Sequence, residues 1–305
     1  MRLFDLHCDT ITECLDKGKS LVTNDLQLDL ERGNQLGTWV QVFACWLDTK
    51  YVKEDAYNRF LQQRALLLHE IDNHPNQIGL YHTGTQVTQH KCLAILSVEG
   101  GHVLGGKLEH IQDLKELGVS FLTLVWNGDN EIGCGAKGSD RGLTSFGREA
   151  VAELENRNII IDISHLNEKG TEDVFGLVKK PLVATHSNSR LIHDNKRNLY
   201  DEQIRYLIAN DGLCGFNYYP VFVNGKEDCT IDEFKRHLDH ILSIGGEDIL
   251  SLGSDFDGAS MPSFLKGIDS LYIFYGNVLK WYGEKVADKL FYENAKRFVD
   301  ENIIV

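Results

Sequence analysis

The sequence predicts an α/β protein folded as a (β/α)₈ barrel of the TIM type. Three observations support this fold class: eight short β-rich apolar runs occur along the 305 residues, amphipathic helical segments lie between them, and the linkers are short. Strands that alternate with crossover helices pair in parallel, and eight such units close into a barrel. An open doubly wound sheet is the second architecture that this pattern allows.

Each predicted strand is a compact run of apolar and β-branched residues, which is typical of parallel strands buried on both faces. The eight runs are Arg2–His7, Trp39–Trp46, Cys92–Val98, Ser120–Val125, Ile159–Ile163, Leu182–Thr185, Leu213–Phe216 and Ile249–Leu252. Since α/β barrels routinely exceed the usual domain size, we expect one domain that covers residues 1–305.

Three helices are predicted from apolar residues that recur on one face. They are Thr144–Arg157, Asp201–Asn210 and Thr230–Ile244. In the last of these, Thr230 and Glu233 have the spacing of a capping box, and Gly245-Gly246 would end the helix. His237 and His240 lie three residues apart on this helix, and their charged flanks favour a solvated face over a metal site.

The composition is that of a globular protein with a marked acidic excess. The chain has 31 Lys and Arg against 45 Asp and Glu, which gives a formal net charge of −14. This charge argues against nucleic acid as a partner. No apolar run is long enough for a signal peptide or a membrane span, so we expect a cytoplasmic protein without a membrane partner. The seven scattered cysteines contain no Cys-x-x-Cys pair, which favours free thiols.

Residue types that bind divalent metals stand at the carboxyl ends of the predicted strands. These candidate ligands are His7, Asp9, Glu99, His165 and His186. In a barrel the strand ends converge on one face, so residues far apart in sequence become neighbours. Five such side chains are too many for one four-coordinate ion with an open position. They suit two ions that share a bridging carboxylate and a bridging hydroxide, so the sequence predicts a two-metal centre.

A further carboxylate follows the last predicted strand, in the run Gly253-Ser254-Asp255-Phe256-Asp257-Gly258. Asp255 comes first after the strand and would project towards the barrel mouth, whereas Asp257 fits a structural turn position before Gly258. A carboxylate hydrogen-bonded to a metal-bound hydroxide can accept its proton and later pass that proton to a leaving group. We therefore predict that Asp255 is the catalytic acid and base.

A series of short motifs runs through almost the whole chain in a fixed order. The motifs are His7-x-Asp9, Glu99-Gly100-Gly101-His102, Gly142-Leu143-Thr144 with Phe146-Gly147, Asp162-x-Ser164-His165, Thr185-His186-Ser187, Arg197-Asn198 with Asp201, the run from Gly253 to Gly258, and Asn294-x-x-Arg297-Phe298. Each is short, but their joint order and spacing are specific. The set resembles that of the membrane (renal) dipeptidases and their bacterial relatives, within the binuclear-zinc amidohydrolase superfamily.

The resemblance implies an amidohydrolase-like barrel that binds two zinc ions, with other divalent metals left open. One ion would be held by His7 and Asp9, and the other by His165 and His186. Glu99 would bridge the two ions.

The resemblance also implies roles for Asp255 and for two residues near the substrate. Asp255 would be the acid and base, and Arg197 would bind the free carboxylate of a dipeptide, which suits its planar guanidinium. Without the resemblance, a solvent-facing charge is the preferred interpretation of Arg197. Trp126 stands where mammalian members carry a histidine that polarises the scissile carbonyl, and indole offers only a weak N–H donor. Bacterial relatives often carry Trp there, so this departure bears on substrate range and rate and is compatible with hydrolysis.

These features predict a zinc-dependent dipeptidase that hydrolyses dipeptides with a free C-terminal carboxylate through a metal-bridging hydroxide. One alternative is another binuclear amidohydrolase activity on a lactone, an acylamino acid or a phosphoester, because fold and metals do not fix the substrate. A less favoured alternative is a non-catalytic peptide-binding barrel. The expected partner is a small-molecule dipeptide, and a homodimer is the assembly that the sequence leaves open.

Overall fold

A closed ring of eight parallel strands forms the centre of the protein, whose computed structural model describes residues 1–84 and 91–303. The strands in this part of the chain are β1 Arg2–Cys8, β2 Thr38–Trp46, β3 Ile78–Leu80, β4 Cys92–Glu99, β5 Val119–Thr123, β6 Ile160–Asp162, β7 Val183–Ala184, β8 Leu213–Phe216 and β9 Leu250–Leu252. Around the ring the order is β1, β2, β4, β5, β6, β7, β8, β9, and β9 pairs with β1. The pairing of β2 with β4 from Trp39 to Trp46 closes the barrel, so the predicted barrel is confirmed and the open sheet is wrong.

All eight predicted strands are barrel strands, with ends that differ by at most two residues. The ninth strand, β3, was not predicted, because three residues are too few to show a strand period. It pairs with Cys92–Ala94 in the first half of β4, whereas β5 pairs with the second half from Leu96 onward. The additional strand therefore covers the amino end of β4 and leaves its carboxyl end in the ring.

Helices follow most of the strands and cover the outside of the ring. They are α1 Thr10–Lys17, α2 Leu30–Gln35, α3 Glu54–Asn73, α4 Glu109–Glu116, α5 Ser145–Asn156, α6 Glu168–Leu177, α7 Asp201–Ala209, α8 Pro220–Val223, α9 Ile231–Ser243, α10 Leu271–Tyr282, α11 Glu284–Asp288 and α12 Asn294–Asn302. The predicted capping box is present at the start of α9, where Thr230 Oγ1 accepts from the Glu233 amide and Glu233 Oε2 accepts from the Thr230 amide. Gly245 after this helix has φ 98°, a left-handed conformation that glycine adopts without strain.

The prediction of a solvated face for the two histidines of α9 is wrong for His237. This side chain is fully buried, because α8 and the segment around Ser189 cover that face of the helix. Its Nε2 donates to the Val223 carbonyl at 2.9 Å, and its Nδ1 accepts from the Ser189 amide at 3.2 Å. Burial lowers the pKa of His237 to about 4. His240 is half-buried and lies 2.7 Å from Asp201.

The barrel core lies at the amino ends of the strands and is closed by the last helix. Phe4, Val40 and Leu213 from the strands share one buried cluster with Ala295 and Phe298 of α12. A larger apolar layer lies between the strands and the outer helices. Because apolar side chains fill the amino end, the carboxyl end is where polar side chains can gather.

All seven cysteines are buried free thiols, as the scattered pattern predicted.

Across residues 1–84 and 91–303, no helix has both the length and the apolar character that crossing a bilayer requires.

Candidate active site

The predicted metal ligands meet at the carboxyl end of the barrel. They come from the ends of β1 and β4 and from the segments that follow β6 and β7. The five side chains are His7, Asp9, Glu99, His165 and His186, and each is at most 7% exposed. Residues separated by up to 179 positions in the sequence thus form one buried cluster, as the barrel prediction required.

Glu99 lies at the centre of this cluster. Its Oε2 is 3.4 Å from His7 Nε2, and its Oε1 is 2.8 Å from His165 Nε2 and 3.7 Å from His186 Nε2. On the far side of His7, the carboxylate Oδ2 of Asp9 lies 3.3 Å from the same Nε2. Each Glu99 oxygen therefore belongs to a different group of neighbours.

These contacts form two sets of ligand atoms with Glu99 in common. The sets are His7, Asp9 and Glu99, and Glu99, His165 and His186; within each, the ligand atoms lie within 4.8 Å of one another. A third set of the same kind joins His7, His186 and Asp255. The first two sets together contain all five residues that the sequence predicts as metal ligands, and Glu99 belongs to both.

Unpartnered buried atoms test whether these residues suit metal ions. His7 Nε2, Asp9 Oδ1 and Glu99 Oε1 are buried and have no hydrogen-bond partner, although other polar atoms surround them. Buried polar atoms without partners are rare in folded proteins. Imidazole nitrogens and carboxylate oxygens that lie close together without hydrogen bonds between them can act as ligands of a divalent cation. Zinc binds both types of ligand atom. The residues therefore fit a metal centre.

The tautomer of His186 is fixed by the network behind it. Asp162 Oδ2 accepts from the hydroxyls of Thr123 and Thr185 at 2.6 and 2.7 Å. Because Thr185 Oγ1 donates to Asp162, it accepts from His186 Nδ1, which lies 2.8 Å away. The Nε2 lone pair of His186 is thus left for a metal ion, in the manner of metal-binding histidines that donate their other ring N–H.

His165 is oriented in the same way by a different partner. Its Nδ1 lies 3.1 Å from Asn127 Oδ1, so Nδ1 carries the hydrogen and Nε2 is the free lone pair. The His165 backbone has φ 68°, in the left-handed region that few residues other than glycine adopt. Such strain is concentrated at functional sites, where the surrounding structure imposes it.

The protonation states of the second set, Glu99, His165 and His186, suit ligation. Burial lowers the pKa of His186 well below its ordinary value, with the charge of His7 acting in the same direction, and burial also lowers the pKa of His165. Burial opposes ionisation of Glu99, but His7 and His165 hold its pKa below the usual range. The second set therefore offers neutral imidazoles and an ionised carboxylate, which are the forms that bind metals.

Asp255 lies beside the cluster and is held by a buried amide. Its Oδ1 is 3.9 Å from His7 Nε2, and its Oδ2 accepts from Asn217 Nδ2 at 2.9 Å. Asn217 is fixed in turn by Asn188, which donates to its carbonyl and accepts from its amide N–H, both at 2.9 Å. One carboxylate oxygen of Asp255 is therefore occupied, and the other faces the metal-ligand cluster.

Asp257 has the structural environment that the turn position predicts. Its carboxylate accepts from Thr10 Oγ1 at 2.6 Å and from the Gln27 amide at 2.7 Å. The next residue, Gly258, leaves no room for a side chain, because a Cβ there would lie 2.0 Å from Asp9 Oδ2. The turn thus packs directly against the cluster.

A cavity of about 400 Å³ opens above the cluster. Trp126 lies on its wall, edge-on to Trp46 with ring centroids 5.1 Å apart.

Arg197 does not line this cavity and is 3% exposed. Phe222 does line the cavity, and the Arg197 guanidinium lies 5.2 Å from the centre of the Phe222 ring. Arg197 Nη2 donates to the His186 carbonyl, and its Nε has no hydrogen-bond partner. The interpretation of Arg197 as a solvent-facing charge is therefore wrong.

Comparison with known proteins relates the chain to one family. A sequence profile described as membrane dipeptidase, peptidase family M19, matches residues 1–302. The chain belongs to the M19 family. A relative that matches much of the chain is an uncharacterized protein in the pqqA 5′ region of Klebsiella pneumoniae, 30% identical over 262 residues, or 81% of this chain and 97% of the relative.

Two solved metallo peptidase structures superpose on 99% of the chain. A metallo peptidase from Rhodobacter sphaeroides, liganded with a phosphinate mimic of the dipeptide L-Ala-D-Ala, is 26% identical and has a TM-score of 0.92 over 99% of each chain. The dipeptidase AC, a metallo peptidase of family M19, is 27% identical with a TM-score of 0.91, over 99% of this chain and 98% of that one. The predicted family and the amidohydrolase-like barrel are confirmed.

Three polar residues with no role predicted from the sequence support the site. Asn217 positions Asp255, Asn127 orients His165, and Asp162 accepts hydrogen bonds from the strand ends behind His186. A signal was present for two of them, because Asn217 directly follows a predicted strand and Asp162 stands in one of the motifs. Asn127 gives no such signal, since its contact with His165 depends on how the segment after β5 folds back.

Proposed function

We propose that this protein is a two-zinc dipeptidase that hydrolyses dipeptides with a free C-terminal carboxylate. Membership of the M19 family supports a metal-dependent dipeptidase. The observation that carries the two-metal proposal is the placement of Glu99, whose two oxygens face two separate sets of buried nitrogen and oxygen atoms.

In this proposal His7 and Asp9 would hold one ion, His165 and His186 would hold the other, and Glu99 would contribute to both sites. When bound, the metal pair supplies Lewis-acid polarisation of the amide carbonyl and lowers the pKa of a water molecule. The rings of His165 and His186 are oriented by the hydrogen bonds of their Nδ1 atoms, which direct Nε2 into the cluster. The closed apolar layer below the cluster keeps bulk water away from these groups.

The proton transfer is assigned to Asp255. Since Asn217 occupies Oδ2, the oxygen that faces the cluster is Oδ1. From this position Oδ1 takes a proton from the attacking water and delivers it to the departing amine. The amide of Asn217 fixes the angle of the carboxylate during both transfers.

The carboxylate of the substrate is assigned to Arg197. Burial lowers the pKa of Arg197 to about 10, so the guanidinium stays charged at neutral pH. The buried Nε of Arg197 has no hydrogen-bond acceptor. A substrate carboxylate can supply acceptors for two N–H groups of the guanidinium at once. Phe222 lines the cavity and Arg197 lies 5.2 Å from its ring, so the guanidinium is close to the cavity wall.

Metal analysis combined with a dipeptide panel tests the proposed function. We expect about two equivalents of zinc per chain and turnover of dipeptides, with D-residues included at the C-terminal position. Removal of the metal by a chelator should abolish turnover, and zinc should restore it. A metal-free protein, or a metal-loaded protein that cleaves lactones or phosphoesters but no dipeptide, would overturn the proposal.

Replacing Arg197 by Met should raise KM for dipeptides by about 10- to 100-fold, because a charge-assisted pair with the substrate carboxylate is lost. Met keeps most of the buried volume and removes an incompletely paired charge, so the fold should be retained. The control substrate is the same dipeptide with an amidated C-terminus, whose kcat/KM should change little. Equal effects on both substrates would show that Arg197 does not bind the carboxylate.

A further inference from the structure

Two walls face each other across the metal-ligand cluster. Trp46 ends β2, and Trp126 and Lys137 lie in the segment after β5, so these residues flank β4 on both sides. Across the eight-stranded ring, the strand opposite β4 is β8. Phe222 follows β8, and Arg197 follows the neighbouring strand β7. We call the first group, Trp46, Trp126 and Lys137, the indole–lysine wall.

The backbone around Lys137 is held firmly against the cluster. The Ala136 amide donates to the His165 carbonyl at 2.8 Å, and the Lys137 amide donates to the Asn127 carbonyl at 2.9 Å. The following glycine, Gly138, packs so closely on Asp129 that a Cβ would lie 2.0 Å from Asp129 Oδ1. The position of Lys137 is therefore tied to a predicted metal ligand.

Several other charged groups of this segment have ion-pair partners. Asp129 accepts from Arg141 Nη2 at 3.2 Å, and Asp140 lies 2.9 Å from Lys169 Nζ. Lys137, in contrast, has no ion pair with any carboxylate in residues 1–84 and 91–303. Of the described residues that line the cavity, it is the one with an ammonium or guanidinium group.

The carboxylates on the cavity wall already have roles or partners. Asp9, Glu99 and Asp255 belong to the proposed catalytic centre. Glu13 pairs with Lys17, and Asp257 accepts hydrogen bonds from its neighbours. An ammonium group that has no ion pair among the described residues thus lines the same cavity as two indole rings, and this cavity lies over the proposed catalytic centre.

We propose that the indole–lysine wall is a subsite for an acidic side chain on the N-terminal residue of the dipeptide, and this rests on the proposed function. With the C-terminal carboxylate at Arg197, a dipeptide that spans the cluster points its N-terminal residue at the opposite wall. The indoles offer apolar surface to the methylene groups of a glutamate, and the Lys137 ammonium pairs with its carboxylate. The preferred substrates are dipeptides that begin with Glu, followed by those that begin with Asp.

The test compares isosteric substrates in the zinc-loaded enzyme. We expect kcat/KM for Glu-Ala to exceed that for Gln-Ala by about tenfold, because a charge-assisted hydrogen bond is available only to the acid. Ala-Glu should show no such advantage over Ala-Gln. The preference should decline with added salt, since the ammonium is exposed.

Variants identify the residue responsible. Lys137→Met should bring the Glu-Ala to Gln-Ala ratio of kcat/KM close to one, and Lys137→Arg should keep the preference. Lys285→Met is the matched control, because Lys285 is exposed on α11 and does not line the cavity. Equal rates for Glu-Ala and Gln-Ala in the wild type, or a preference that survives Lys137→Met, would overturn the subsite and leave the dipeptidase proposal standing. Failure to cleave any of these four dipeptides would overturn the subsite, and failure on the whole dipeptide panel, with D-residues included, would overturn the dipeptidase proposal as well.

Discussion

An Asp255→Asn variant is expected to lose about 10²- to 10⁴-fold in kcat while keeping its metal ions and its fold. The carboxylate oxygen that faces the cluster is replaced by a group that cannot carry the proton. Asp255 has φ 63°, and Asn adopts this left-handed conformation about as readily as Asp does. The substitution should therefore change the chemistry and leave the backbone as it is.

The measurement needs three readings on the same preparation: kcat on a dipeptide, bound metal by elemental analysis, and the melting temperature. Asp257→Asn is the matched control, since Asp257 also lines the cavity and has φ 67°. This control should lower the melting temperature, because it weakens the hydrogen bonds from Thr10 and Gln27, and should keep turnover within severalfold. Near-wild-type kcat in Asp255→Asn would remove Asp255 from the mechanism, and loss of metal would make it a ligand instead.

A Glu99→Gln variant is expected to lose both metal ions and to reduce turnover by at least about 10³-fold. Gln has the same shape, but its neutral amide presents only one oxygen to two sets of ligands. Because Glu99 belongs to both sets that hold the predicted metal ligands, one substitution should empty both positions. Elemental analysis after dialysis should give well below one equivalent of zinc.

Two comparisons sharpen this prediction. Glu13→Gln removes a carboxylate that lines the same cavity but lies outside the three ligand sets, so metal content should be unchanged. Asp9→Asn removes a carboxylate that belongs to one set only, so it should lower zinc towards one equivalent. Two equivalents of zinc with full turnover in Glu99→Gln would contradict a bridging role for this residue.

Much of the site could be predicted because barrel topology translates sequence position into spatial position. A histidine or carboxylate that directly follows a strand lies at the carboxyl end of the barrel, whichever strand it is. This rule predicts that His7, Glu99 and His186 lie together, and their side chains do meet in one buried cluster. The same rule applies to Asn217, an amide that directly follows β8 and reaches Asp255 from there.

Other features depend on side chains that pack against distant parts of the chain, and sequence patterns do not report them. His237 has charged residues around it in the sequence, which predicted a solvated face, yet α8 and the Ser189 segment cover it. Arg197 follows a lysine and resembles an exposed charge, yet it is buried beside Phe222. In both cases the side chain is buried by segments distant in sequence, and the local sequence pattern around the residue carries no information about them.

The barrel, the family and the candidate metal ligands could be predicted from the sequence, because strand period and residue type are local properties of the chain. The arrangement of those residues around one another is visible only in the folded protein. The fold placed the two Glu99 oxygens in different ligand sets, fixed the His165 and His186 tautomers through Asn127 and Thr185, and left one oxygen of Asp255 free. These are matters of distance and direction between groups on different strands, and they exist only once the ring of strands has closed.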